Sequence, residues 1–154
     1  MIFTVRYAHL DQPPAYKIGD IIKTGDKIGV MGTSGQSTAT HLHIDCAIGE
    51  QKKPYQLFEM DDGGRIVPAP RQLLLFIDKD LFGIDPIITT TYAEFAYFLE
   101  RGKVHYGLDV VPSDRKQSRE HYGIKWNRSK PGKVSLVVDD PKGYGNCIYI
   151  SYEV

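Results

Sequence analysis

Thr38-Ala39-Thr40-His41-Leu42-His43-Ile44-Asp45 sets two histidines at i and i+2, between the apolar residues Leu42 and Ile44. In a strand, successive side chains alternate faces, so His41, His43 and Asp45 share one side while Leu42 and Ile44 take the other. A sheet built this way buries its apolar face and offers imidazoles on the opposite one. Taken alone, the pattern reads as a half-buried strand whose histidines face water. The remaining three histidines change that balance. They fall in Tyr7-Ala8-His9-Leu10, in His105-Tyr106-Gly107-Leu108-Asp109 and in Glu120-His121-Tyr122, and the neighbours of the first two suit a metal.

At 154 residues, with 42% hydrophobic and 25% charged residues, the chain is sized for one domain, 1–154, with a proper core. Nineteen basic residues balance nineteen acidic ones, which points away from nucleic acid and from an anionic membrane as partners. No apolar run reaches the ~18 residues of a membrane span. The opening Met1-Ile2-Phe3-Thr4-Val5-Arg6 is no signal peptide, so action outside a cell requires another carrier or a larger parent chain. Two cysteines, Cys46 and Cys147, make no disulfide framework. Free buried thiols are expected, or one disulfide if their strands pair. Cys46 lies three residues after His43 and points to the other face, which makes it a poor metal ligand.

Fifteen glycines, nine prolines and ten tyrosines point to many short strands and turns. Residues 2–10 alternate as a strand, with Phe3, Val5, Tyr7 and His9 on one side. Between Tyr16 and Gly32, Gly-Asp recurs at 19–20 and 25–26 beside isoleucines, the punctuation of a tight antiparallel β layer. Residues 33–40 form a small polar loop. Residues 46–104 change character: Asp61-Asp62-Gly63-Gly64 is a turn, and Leu73–Ile77 is an apolar run fit for a strand or a buried helix. Thr91-Tyr92-Ala93-Glu94, followed by Phe95, Tyr97, Phe98, Leu99 and Gly102, predicts a capped short helix. This middle third has no catalytic-looking cluster and reads as a covering or connecting segment. Strand patterns return at Val110-Val111, Lys133–Val138 and Asn146–Tyr152, with a turn over 139–146.

His105 and Asp109 would stand ~13 Å apart in a straight strand, too far to share one zinc ion. Gly107 between them and the valines after them disfavour a helix, so the workable geometry is a bend at Gly107 that folds Asp109 back toward His105. With His-x-His on another strand, that bend supplies two imidazoles and a carboxylate, the ligand set of open catalytic zinc sites.

Tyr7-Ala8-His9-Leu10, the Gly-Asp-rich run 17–32, the loop 33–40, His41-Leu42-His43, His105–Asp109 and Gly143-Tyr144-Gly145-Asn146 together resemble the lysostaphin/LytM-type zinc endopeptidases of peptidase family M23. The resemblance covers roughly two-thirds of the chain and omits most of 46–104. It implies a mainly β fold, an antiparallel sheet core of that type with a short helix in the bridging segment. It also implies cleavage of bacterial peptidoglycan peptides, with His105, Asp109 and His43 as Zn²⁺ ligands. His41 and His9 become catalytic histidines beside the zinc-activated water and the oxyanion. Ala39 stands where the family commonly has Gly. The order of motifs differs more: the family runs from His-x-x-x-Asp through Gly-Tyr-Gly-Asn and Tyr-x-His-Leu to His-x-His. Here the last two come first, as in a circular permutation. Residues 1–45 then hold the second half of the core, 105–154 the first half, and 46–104 bridge the old ends. The strands Ile148–Tyr152 and Ile2–Ala8 should pair, with Met1 and Val154 close in space and the site complete within one chain rather than shared by two.

Three rival readings remain at this level. Two histidines and a carboxylate also describe non-haem iron enzymes, but these leave His9 and His41 unused. A biotinyl- or lipoyl-type carrier would need a lysine hairpin motif that is absent. An inactive cell-wall-binding relative need not have retained all five site residues. The resemblance implies an extracellular or cell-wall-facing role, and the missing export signals suggest delivery by a larger assembly such as a phage tail or lysis apparatus. His121 matches nothing and reads as a surface histidine; Tyr7 and Tyr106 either line a cleft or pack.

Overall fold

The alternation of residues 2–10 produces a central strand, β1 (Ile2–Leu10), hydrogen-bonded on both sides. The computed structural model describes every residue except 38, 59, 62–63 and 115–121, together with all side chains but those of 60 and 61. His121 lies outside the described residues. The further elements are β2 (Ile21–Ile22), β3 (Lys27–Val30), β4 (Leu42–Ile48), β5 (Met60–Asp61), β6 (Gly64–Arg65), α1 (Pro70–Leu73), β7 (Pro86–Thr90), α2 (Phe95–Arg101), β8 (Leu108–Pro112), β9 (Gly123–Lys125), β10 (Gly132–Asp140) and β11 (Gly145–Glu153). The fold is mainly β, as expected. Seven strands make one antiparallel sheet in the order β2-β10-β11-β1-β4-β8-β7, while β3 pairs with β9 and β5 with β6.

The expected pairing of the strands from the two ends of the sequence is present. β1 runs antiparallel to β11, from Ile2 opposite Glu153 to Tyr7 opposite Ile148. The Val154 N–H donates to the Met1 carbonyl at 3.0 Å. On its other side β1 pairs with β4, from Phe3 opposite Ile48 to Ala8 opposite His43.

One face of the sheet meets the main core. Phe3, Val5 and Tyr7 of β1, and Leu42, Ile44 and Cys46 of β4, pack there with Leu73, Phe76, Leu81, Phe82 and Trp126. The opposite face carries Ala8, Ala47, Cys147 and Tyr149, roofed by Tyr55 and Ile66 from the connecting segment. Cys46 and Cys147 therefore belong to opposite faces, and both are free and buried. This removes the disulfide alternative. Tyr7 is wholly buried in the main core, so packing accounts for it. Tyr106 packs against Phe58 and Tyr92.

The connecting segment resolves the two ambiguous runs. Pro70 opens α1, where a missing N–H costs nothing, and a 3₁₀ turn over Leu74–Phe76 completes the piece. The apolar run 73–77 is thus helical rather than a strand, because only Leu73 and Phe76 need burial. α2 ends at Gly102, at φ 71°, whose N–H returns to the Phe98 carbonyl at 2.8 Å. Its start is later than the Thr91 cap predicted. Glu94 accepts from the Thr91 N–H at 3.2 Å, but Glu94 itself is the N-cap and makes no side-chain cap bond. The two Gly-Asp turns are repeats of one design: Asp20 accepts from the Lys17 N–H and Asp26 from the Lys23 N–H, each at 2.8 Å. They deliver β2 to β10 and β3 to β9 rather than to each other. Among the described residues, no helix is long and apolar enough to cross a membrane.

Candidate metal centre

The register of β4 against β8 sets Asp109 directly opposite His43. Cross-strand partners have Cβ atoms only ~4.5–5.5 Å apart, so sheet pairing alone joins the two. His105 arrives from the loop before β8, and Gly107 makes the turn. A Cβ on Gly107 would stand 2.6 Å from the Ile44 carbonyl oxygen and 2.8 Å from Cε1 of His43, so only glycine fits. Asp109 Oδ1 ends 3.0 Å from His43 Nδ1, 3.3 Å from His105 Nε2 and 3.6 Å from His41 Nε2. One donor atom each from His43, His105 and Asp109 lies within 4.8 Å of the others, close enough to hold a metal ion.

Both imidazoles of this candidate set are oriented from behind. His105 Nδ1 lies 3.1 Å from the Thr91 carbonyl oxygen, which turns Nε2 toward Asp109. The ring also leans on Tyr97 of α2, with centroids 4.7 Å apart. His43 Nε2–H donates to Asp45 Oδ2 at 2.9 Å, which turns Nδ1 toward Asp109. Metal-binding histidines need this arrangement, since the partner of one nitrogen decides which one carries the lone pair. The donor set therefore fits a divalent metal, with Nδ1 of His43, Nε2 of His105 and the Asp109 carboxylate converging and no fourth such ligand beside them among the described residues.

His9 departs from the alternation of its strand. The β1–β11 register shifts between Tyr7 and Leu10, and His9 takes φ 59°, a left-handed value uncommon outside glycine. The irregularity rotates His9 off the face of Phe3, Val5 and Tyr7, where strict alternation predicted it. Its ring comes to 4.9 Å from His41 and 6.1 Å from His43, centroid to centroid. The turn between β10 and β11 holds this conformation. The Tyr144 carbonyl accepts from the His9 N–H at 2.8 Å, and the Asn146 side-chain amide donates to the Leu10 carbonyl at 3.2 Å. Ser34 accepts His9 Nδ1–H at its carbonyl at 2.7 Å, while its hydroxyl accepts from the Asn146 N–H at 3.0 Å. The Ser34 backbone presses on Gly145, leaving no room there for a Cβ. His41 sits just before β4, bridged to Gly32, and its Nδ1–H donates to the Ala39 carbonyl at 2.7 Å. Both His9 and His41 therefore present a bare Nε2.

The electrostatics follow from burial and partners. Burial pushes His9 down to about 4, against the pull of its Ser34 bond, and the other histidines push the same way; the ring is neutral near pH 7. Burial would lower His43 too, but its hydrogen bonds to Asp109 and Asp45 prevail and raise it. Burial would raise Asp109, yet the bonds from His105 and His43 hold it well below the usual carboxylate range. Asp45 is likewise held low against burial by the Arg6 charge and by His43.

The structure thus brings together all five sequence-predicted residues, His9, His41, His43, His105 and Asp109. It adds residues that spacing did not single out: Arg6, Ser34, Tyr55, Thr91, Tyr97 and Asn146. A charged residue inside an apolar strand, Arg6, was the readable signal. The connecting segment, taken as mere cover, supplies Tyr55, Thr91 and Tyr97 to the site.

The model for peptidase family M23 matches residues 2–55. That stretch carries His9, His41 and His43 but neither His105 nor Asp109, and it covers about a third of the 154 residues. The match supports family M23 over that part of the chain and suggests a peptidase of a metal-dependent family. No solved structure matches the chain.

Proposed function

We propose that the chain is a zinc-dependent endopeptidase that hydrolyses peptide bonds of bacterial peptidoglycan. The observation that carries this reading is the convergence of His43 Nδ1, His105 Nε2 and Asp109, faced by two further imidazoles with bare Nε2 atoms. Three protein ligands leave a position open, and zinc in such a site supplies the Lewis acidity that makes water a nucleophile near neutral pH. His41, with Nε2 3.6 Å from Asp109, is placed to accept the proton of the attacking water and pass it to the leaving amine. Neutral His9, held through Nδ1–H to the Ser34 carbonyl, offers a second acceptor at Nε2; with a proton taken there from the attacking water it would become a donor to the charge growing on the scissile carbonyl oxygen. Asp109, kept ionised by its imidazole neighbours, holds the negative end of the ligand set.

A circularly permuted relative of the lysostaphin/LytM type accounts for the order of the motifs. The strand that follows Gly143-Tyr144-Gly145-Asn146 pairs with the strand that carries Tyr7-Ala8-His9-Leu10, and that turn positions His9 within the same chain. All five site residues meet in one chain, which favours a site that needs no second copy. Peptidoglycan as substrate fits an extracellular, cell-wall-facing role, with delivery by a phage tail or lysis assembly. Digestion of purified cell walls of several cross-link types tests the reading. New peptide termini should appear with zinc, vanish with chelator and return when zinc is restored. No release from any wall type, with zinc bound, would refute it.

A further inference from the structure

Behind His43, Asp45 belongs to a second polar cluster whose other members, Arg6 and Tyr55, take no part in the steps above. Asp45 is 1% exposed and Arg6 2% exposed, on adjacent strands in register with each other. The guanidinium grips the carboxylate through Nε at 3.1 Å and Nη2 at 2.5 Å. Tyr55 O–H donates to Asp45 Oδ1 at 2.8 Å, and Arg6 Nη1 donates to the Tyr55 carbonyl at 2.9 Å and to the Tyr149 hydroxyl at 3.1 Å. The Tyr144 ring lies over the guanidinium at 4.0 Å. Buried charges are costly unless paired and fully hydrogen-bonded, and this pair is both. Yet a buried pair is seldom needed for stability, since apolar residues of like volume serve as well. The cluster reaches His43 in two ways, through the stacked Tyr144 ring at 5.1 Å and through the hydrogen bond that His43 Nε2–H donates to Asp45 Oδ2 at 2.9 Å.

His43 stands between two carboxylates, Asp45 at Nε2 and Asp109 at Nδ1. Were Asp45 absent, Asp109 would be the acceptor left for the ring proton. The proton would then sit on Nδ1, the nitrogen that faces the other two donors. We propose that Asp45, locked by Arg6 and Tyr55, is a positioning residue that keeps the His43 proton on Nε2 and so dedicates Nδ1 to the metal. This rests on the reading of His43, His105 and Asp109 as a metal site. Tyr55 enters from the connecting segment, so that segment takes part in building the site as well as covering one face.

The test is zinc affinity, by competition with a chromophoric chelator, in Asp45→Asn and in the paired variant Arg6→Met/Asp45→Leu. Asn offers one acceptor oxygen to the donors of Arg6, Tyr55 and His43. The paired variant leaves no buried charge unmatched. Both should bind zinc 10–100-fold more weakly than the parent, the usual loss when an outer partner of a ligand is removed. The nitrogen used is read separately, from ¹¹³Cd–¹H couplings in the cadmium-loaded proteins. In the parent, His43 should couple through Hε1 alone, as Nδ1 ligation requires, and the paired variant should lose that pattern. A merely structural role would lower the melting temperature yet leave affinity and couplings unchanged in the folded variants. That result overturns the proposal, and Asp45→Asn decides alone if the paired variant does not fold. A parent that binds no zinc would instead overturn the metal-site reading itself.

Discussion

Gly107→Ala asks whether the bend that joins His105 to Asp109 also sets the position of His43. The added methyl would stand 2.6 Å from the Ile44 carbonyl oxygen, 2.8 Å from Cε1 of His43 and 3.0 Å from its Nε2. Non-bonded carbon contacts settle near ~3.5 Å, so the imidazole or the loop must give way by about 0.7 Å. The Ile44 carbonyl belongs to β4, opposite Leu108, and cannot retreat without disturbing that ladder. The ring and the 105–107 loop absorb the shift instead. Overpacking of this kind costs about 1–3 kcal/mol of stability. The larger effect falls on the metal, because ligand distances tolerate only about ±0.2 Å. The expected outcome is a folded protein with a lower melting temperature and zinc affinity reduced at least tenfold, on the scale of an outer-partner loss. Chelator competition and thermal melting of the metal-free protein measure the two separately. Parent-like zinc affinity in a folded Gly107→Ala protein would refute the placement of the loop against His43.

Asp109→Ala and His43→Ala should lose tightly bound zinc, whereas His41→Ala should keep zinc and lose about 10²–10⁴-fold in hydrolysis; equal metal loss in His41→Ala and His43→Ala would count against the ligand assignment. Gly145→Ala should displace Ser34, because the backbone already touches there and Gly145 holds φ +69°. His9 would lose its carbonyl partner, with zinc retained and hydrolysis impaired; unchanged turnover would contradict that support. In the metal-free protein, His9 has a folded pKa of about 4 against an ordinary 6.5, so only the unfolded chain gains its proton as pH falls from 6.5 to 4. Stability is therefore lost over that window, and urea denaturation should show His9→Gln gaining on the parent by up to about 1.4 kcal/mol per pH unit. Parallel profiles would refute the burial of a neutral ring. His43 shows the opposite sign. Its folded pKa is raised, so metal uptake must expel a proton from Nδ1, and affinity should climb about tenfold per pH unit until that pKa is passed; calorimetry in buffers of differing ionisation heat would detect no proton if this is wrong.

Much of the site was legible because its chemistry lives on period-two strands. His43 and Asp45 share a face as the alternation required, and Leu42, Ile44 and Cys46 took the other. The bend at Gly107 followed from distance alone. His9 defeated the same rule, since a bulge with a left-handed residue is fixed by the distant 143–146 turn, not by its neighbours in sequence. The Arg6–Asp45 pair was visible only as a charge within an apolar strand. Its partner Tyr55 comes from a segment with no periodic pattern. Carbonyl partners such as Thr91 and Ser34 carry no residue-type signal at all, because a backbone C=O serves whatever its side chain.

The assembly of one metal site from two distant parts of the chain is tested most directly by diffraction from crystals grown with zinc, recorded on both sides of the zinc absorption edge. One anomalous peak should lie ~2.0–2.2 Å from His43 Nδ1, His105 Nε2 and an Asp109 oxygen, with His9 and His41 outside ligand distance. A peak held by His41, a peak on His43 Nε2, or no peak at saturating zinc would contradict the account.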